Sequence, residues 1–138
     1  MIVSFIVEGE PQGKGRHRTT HTGHTYTPQK TVLYENWIRT AYIHRVGAKV
    51  LQGPLKATIE AYYTIPKSKS KNMKVQMIKG MIRPQKKPDT DNVAKAVLDS
   101  LNAIAYKDDA QIVDLSVSKY YAEQGFIKVT LEEIEPEE

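Results

Sequence analysis

The chain of 138 residues contains no cysteine. Disulfides, thiolate zinc sites and cysteine nucleophiles are thereby excluded, and the composition fits a reducing cytoplasm. Long apolar runs are missing as well. None approaches the roughly 18 residues of a membrane span, and the N-terminal run Ile2 to Val7 meets Glu8 too soon for a secretory signal. Acidic residues are scarce in the first 88 positions, which hold 16 Lys+Arg and 4 Asp+Glu, a balance of +12. The remaining 50 invert this, with 4 Lys+Arg and 12 Asp+Glu, a balance of −8. The formal net charge of +4 hides that asymmetry. A basic half points to a polyanionic partner, nucleic acid first. The same division also reads as two solvated surfaces that pair with each other.

The length predicts one domain over residues 1–138, with a modest core and an acidic, frayed tail at 135–138. Ile2 to Val7 reads as a strand. Glu8 to Gly23 reads as a loop, and its glycines and basic residues suit close approach to a phosphate. Thr27 and Pro28 look like an N-cap and first helical residue. Their helix runs to about Arg45, with Val32, Leu33, Trp37, Ile38 and Ala41 as its apolar face. Leu55 to Ile65 reads as a strand between Pro54 and Pro66. A basic stretch follows, in which Ser70 caps a short helix and residues 81–88 form a mobile loop. A central helix then spans about Asp91 to Ala103, capped by Asp89 or Thr90. Gln111 to Tyr121 and Phe126 to Ile134 read as an antiparallel pair across a turn at 123–125. This order predicts an α+β fold, a single mixed β-sheet with helices packed on it.

Two acidic pairs bracket the central helix: Asp89 with Asp91, and Asp108 with Asp109. At 100° per residue Asp91, Lys95, Asp99 and Asn102 share a stripe about 80° wide, opposite Val93, Val97 and Leu101. Converging carboxylates either hold a hard divalent cation or repel at a cost. Mg²⁺ in such a place polarises a phosphodiester and activates water, and Lys95 stands where it would offset transition-state charge. A helix of about 13 residues is roughly 20 Å long, so the second pair joins the first only if the chain returns alongside the helix. Blander readings exist for each part. Asp89 and Asp91 also read as helix-dipole acids, Asp91–Lys95 as an i,i+4 ion pair, and Asp108-Asp109 as a plain turn.

The ordered set Lys87-Pro-Asp-Thr-Asp-Asn-Val-Ala-Lys-Ala-Val-Leu-Asp-Ser-Leu-Asn, then Tyr106-Lys-Asp-Asp-Ala-Gln-Ile-Val, strongly resembles the RusA family of Holliday-junction resolvases. These phage- and prophage-associated endonucleases carry a D-x-D-N-x-x-K helix and a D-D-x-Q-[IV]-V segment. The resemblance is dense over residues 84–121. It is weaker at the N-terminus, where Gly9 to Arg18 and Tyr26-Thr-Pro are similar to the family's opening loop. It implies that Asp89, Asp91 and Asp109 bind metal and are essential, with Asp108 and Asp99 as further acids. It implies Lys95 as catalytic lysine, Mg²⁺ as cofactor with Mn²⁺ as a substitute, and a homodimer nicking opposing strands of branched DNA in recombination and repair. The Arg16-His17-Arg18 stretch departs from relatives that place a Pro between the basic residues, which touches loop shape rather than the acids.

Lys14, Arg16 and Arg18 are the first expected phosphate contacts. Lys67, Lys69, Lys71 and Lys74, then Arg83, Lys86 and Lys87, form a second basic set. His17, His21, His24 and His44 do not read as zinc ligands, since three of them lie in a basic Gly/Thr loop with no Cys beside them, and surface is the better reading. Tyr34, Trp37 and Tyr42 read as core or dimer contacts, and at least half of Tyr62, Tyr63, Tyr120 and Tyr121 as buried. Two other functions fit the same residues: a non-catalytic nucleic-acid-binding protein, and a metal-dependent nuclease for flaps, branched DNA in general, or RNA.

Overall fold

The computed structural model describes residues 1–15 and 18–136, and for Arg18 the backbone alone. Four strands form one mixed sheet: β1 (Ile2–Glu8), β4 (Leu55–Thr64), β5 (Ile112–Ala122) and β6 (Phe126–Glu133). Their spatial order is β1-β6-β4-β5. β6 runs antiparallel to both β1 and β4, while β5 runs parallel to β4. A two-stranded ribbon, β2 (Arg18–Thr19) with β3 (Thr25–Tyr26), interrupts the segment expected to be a plain loop. The helices are α1 (Gln29–Val46), α2 (Lys71–Ile78) and α3 (Thr90–Ser100), with a 3₁₀ turn at Asp109–Gln111. The fold is therefore α+β, as the element order predicted.

Alternation along the strands makes the core. Leu55, Ala57, Ile59, Ala61 and Tyr63 of β4 are buried, whereas Lys56, Thr58, Glu60 and Tyr62 between them are exposed or half-buried. Phe5 and Val7 of β1 and Ile127, Val129 and Leu131 of β6 complete the buried face. Onto it α3 presses Val93, Val97, Leu98 and Leu101, each such burial contributing about 1.5–3 kcal/mol. Helix α1 adds Tyr34, Ile38 and Tyr42, spaced for one helical stripe. Val32, Leu33 and Trp37, expected on that stripe, are exposed. Tyr42 meets Phe5 edge-on at 5.4 Å and donates to Lys49 O. Tyr106 is fully buried and donates to Leu98 O at 2.6 Å.

Two expectations need correction. The segments at β5 and β6 do not form a hairpin, because β4 lies between them. The chain leaves β5 and passes over the end of β4, where Ile65 N donates to Ala122 O and Gly125 N to Thr64 Oγ1. Residues 81–88 are also tied down. Arg83 Nε donates to Lys119 O at 2.6 Å, its guanidinium stacks on Tyr120 at 4.1 Å, and Lys119 Nζ reaches Lys86 O at 2.5 Å. Of the four strand tyrosines, Tyr63 alone is fully buried; Tyr62, Tyr120 and Tyr121 are half-buried.

Candidate functional site

Helix α3 sets out the acids. Asp89 takes the N-cap position in extended conformation, and its backbone oxygen accepts from Val93 N at 3.0 Å. Its carboxylate makes no capping bond. Asp91 and Lys95 follow on the exposed side of the helix. Among the described residues no ion pair joins them, so the i,i+4 pair is not formed, whereas Asp89 and Asp91 do occupy the N-cap and first turn, where the helix dipole favours them. The buried side of the same helix is held by Val93, Ala94, Ala96, Val97 and Leu98. The hydroxyl of Ser100 folds back onto Ala96 O.

Below the C-terminal end of α3 the chain turns through Asn102 and Tyr106, which bridge, and delivers the second acidic pair. Asn102 Oδ1 accepts from Asp109 N at 2.8 Å. Gln111 Oε1 accepts from Lys107 N at 3.0 Å and Asp108 N at 3.2 Å, while its Nε2 donates to Gly53 O at 2.9 Å. These amides fix the acidic turn to the helix and to the 51–53 segment. Asp109 thereby meets Asp99. Burial raises the Asp109 carboxyl above its ordinary 3.8, and hydrogen bonds with Asp99 and Asp108, together with their charges, push it further in the same direction. The return needed for the second pair is thus made to the C-terminal end of α3. Asp91 lies two turns away from Asp99, about 12 Å along the axis. Among the described residues no three His, Asp or Glu side chains stand close enough together to hold a metal ion.

The glycine-containing loop closes the site from the side. Lys14 N donates to Asn92 Oδ1 at 3.1 Å, and Gly15 N to Thr31 Oγ1 at 2.9 Å. A Cβ at Gly13 would lie 2.1 Å from Asn92 Nδ2, and one at Gly15 would lie 2.4 Å from Thr31 Oγ1. Both glycines therefore serve contact with α3 and α1, not only access for a ligand. Lys14 Nζ sits 2.8 Å from Asp99 and 3.8 Å from Glu35. Its hydrogen bond to Asp99 holds its pKa above 10.5, despite the opposing effect of burial. At the other end of α3, Tyr63 OH donates to Pro88 O at 2.6 Å, steadying the residue before Asp89. Burial foremost, then Glu10, Tyr34 and Asp89, push that phenol up to about 12.

The structure so leaves Asp89, Asp91 and Lys95 exposed at and near the start of α3 and gathers Asp99, Asp108 and Asp109 at its C-terminal end. Lys67, Lys69, Lys71, Lys86 and Lys87 are exposed and Lys74 is half-buried. Lys14 and Arg83, expected to reach DNA, are engaged within the protein. Arg16, His17 and the Arg18 side chain lie outside the described residues. Asn92, Asn102 and Gln111, which pin the loop and the acidic turn, were not identified as positioning residues from the sequence. Their signal was their place inside the same motif as the acids.

Comparison with known proteins matches residues 8–132 to the family described as Endodeoxyribonuclease RusA. The chain is also similar to the uncharacterized protein YqaN of Bacillus subtilis (strain 168). The two are 36% identical over 137 residues, which cover 96% of each. No helix among the described residues is long and apolar enough to cross a membrane.

Proposed function

The chain belongs to the RusA family of endodeoxyribonucleases, and on that premise we propose that it hydrolyses phosphodiesters at four-way DNA junctions. It acts as a homodimer whose two sites nick opposing strands symmetrically, leaving 5′-phosphate and 3′-hydroxyl ends. Two nicks related by a two-fold axis require two sites so related.

The observation that carries this reading is the meeting of Asp109 with Asp99 and Asp108, at the end of a helix face that also bears Asp91 and Lys95. Carboxylates whose charges oppose one another are what a hard divalent cation relieves, and all the donors here are oxygens. The donors suit Mg²⁺ or Mn²⁺ in kind. Among the described residues, however, no three of them stand close enough to share an ion, so Asp89, Asp91 and Asp109, with Asp108 beside them, would hold it only once the acidic turn moves toward the N-terminal end of α3. When bound, the ion supplies charge to a phosphodiester oxygen and eases ionisation of the attacking water. Lys95, free of ion pairing among the described residues, offsets the charge that grows on the phosphate. Lys14 holds Asp99 in place while its backbone holds the loop against α3. The exposed lysines at 67, 69, 71, 86 and 87 supply sequence-independent attraction to the DNA backbone.

The test is cleavage of an end-labelled synthetic four-way junction and of a linear duplex of the same sequence, with Mg²⁺, with chelator, and with Asp91→Asn. Paired symmetric nicks in the junction alone, lost with chelator and in the variant, are expected. Junction binding without nicking under several divalent metals would instead make the chain a binding protein. Equal cleavage by Asp91→Asn would overturn the assignment of the acids.

A further inference from the structure

A cleft of about 540 Å³ lies between the start of the glycine-containing loop and the outer side of α1. Gly9, Gln12, Gln29, Leu33, Tyr34 and Trp37 line it. Its volume is in the range of small-ligand pockets. The indole of Trp37 is 47% exposed, yet its orientation is fixed, because Nε1 donates to Glu8 O at 2.7 Å. With the exposed Leu33 beside it in the same cleft, the indole forms a contiguous apolar surface rather than a lone exposed side chain. The Tyr34 hydroxyl at the cleft is buried beside the Gln12 backbone and lacks a well-formed hydrogen bond.

We propose that this cleft receives an unstacked nucleobase of the DNA substrate, next to the phosphate that is cut. The proposal rests on the nuclease reading above and deepens it. Three features select this class of ligand. The first is charge: Glu8 and Glu10 border the cleft and Lys30 alone opposes them, which disfavours a phosphate and leaves an uncharged flat ring acceptable. Glu10 is moreover occupied, accepting from Thr64 Oγ1 at 2.6 Å. The second is chemistry: an indole face offers stacking to any base, and the Gln12 and Gln29 amides offer both a donor and an acceptor to a base edge. The third is continuity. Gln12 leads straight into Gly13 and Lys14, which are fastened to Asn92 next to Asp91. Tyr34 lies near enough to Tyr63 to affect its ionisation, and Tyr63 holds the residue before Asp89. A base in the cleft therefore belongs to a nucleotide near the acids. A four-way junction keeps its base pairs but breaks continuous stacking at the branch point, which lowers the cost of taking out a base there.

Trp37 is the single tryptophan in the chain, so tryptophan emission reports on this indole. The indole also borders a second cleft with Ser4, Thr40 and His44, from which Gln29, present only in the first, distinguishes it. The experiment titrates full-length protein with a four-way junction in chelator, so that nothing is cut, while anisotropy of a labelled strand reports binding separately. Junctions carrying 2-aminopurine beside the cleavage position provide a second probe. Saturable quenching of tryptophan emission in step with binding is expected. The 2-aminopurine signal should drop with wild type and with Trp37→Phe, and stay unchanged with Trp37→Ala. Trp37→Ala and the exposed Gln29→Ala should each weaken junction binding, the former by about tenfold, as for one stacked base. Binding and cleavage with no change in either fluorophore would overturn the cleft while leaving the nuclease reading intact. Tryptophan emission that changes with protein concentration alone, and no further with DNA, would identify the cleft as a contact between copies of this chain and also overturn it. A wild-type protein that neither binds nor cuts junctions would remove the functional reading, and the base site with it.

Discussion

Lys14 Nζ lies 2.8 Å from Asp99 Oδ2, so a lysine expected to reach for DNA is bound to the acidic helix. The pair joins residues 85 positions apart, and it neutralises Asp99, one of the two acids that Asp109 faces. Removing the ammonium with Lys14→Met should leave Asp99, Glu35 and Asp109 opposed. A loss of about 1 kcal/mol in urea unfolding in chelator is expected, between the values of an exposed and a buried pair. Because the pair raises Lys14 above 10.5, its contribution is present throughout the neutral range and disappears only as pH rises through the raised value. Adding Asp99→Asn should recover part of the loss. Strict additivity of the two changes would show that the pair does not act as described.

Gly13 and Asn92 form a second coupled pair. Gly13→Ala puts a methyl where the Asn92 amide now sits, and the loop must shift. Junction cleavage should fall by tenfold or more with little change in fold content by circular dichroism. Asn92→Ala makes room but removes the acceptor for Lys14 N. The double variant should therefore be no worse than Gly13→Ala alone. If its activity is instead the product of two independent losses, the loop is not held through this contact.

Asp109 carries a pH signature. Its carboxyl is raised above 3.8 in the fold, by burial and then by Asp99 and Asp108. Between 3.8 and the raised value the folded state binds more protons than the unfolded one, so metal-free stability falls as pH rises through that window. The melting temperature in chelator should follow this trend, and Asp109→Asn should flatten it. At neutral pH Mg²⁺ or Mn²⁺ should raise the wild-type melting temperature and have a smaller effect on Asp109→Asn. An unchanged metal response would exclude Asp109 as a ligand.

The basic residues should separate into two groups. Lys67→Ala, Lys69→Ala and Lys71→Ala, all at exposed positions, should each lower junction affinity, and each lost phosphate contact should reduce the slope of log K against log salt by about 0.9. Arg83→Ala should act on stability instead, at about 1–2 kcal/mol, through its bond to Lys119 O and its contact with Tyr120. A salt slope altered by Arg83→Ala as much as by the lysines would show that its guanidinium also reaches DNA.

Much of the fold was legible because it rests on local signals. Ser70 caps α2 by accepting from Met73 N, and the apolar face of α3 is the one its periodicity marks. The acids, too, were visible as two pairs around one helix. What escaped depends on long-range geometry. Two β-forming runs separated by a glycine turn look alike whether they pair directly or flank a third strand, so the place of β4 between β5 and β6 had no local mark. The stripe of α1 was misjudged because Tyr34 and Tyr42, amphipathic by type, displaced Leu33 and Trp37 from the core. Lys14 binds Asp99 for a reason that lies in tertiary packing, since its sequence neighbours are those of a phosphate-binding loop.

Strand order also sets when this molecule can exist during its own synthesis. Ile2 pairs with Glu132 and Glu8 with Phe126, while Leu55 of β4 pairs with Glu133. The strand made first thus waits, edge exposed, for the strand made last, and the middle of the sheet is filled only when residue 133 has emerged. The acidic helix rests on α1 and β5, which precede β6, but the core face beneath it is completed only by Ile127, Val129 and Leu131 of β6. A ribosome stalled before β6 would carry a chain whose core face lacks the strand between β1 and β4, with β1 unpaired and the apolar side of the sheet open to aggregation.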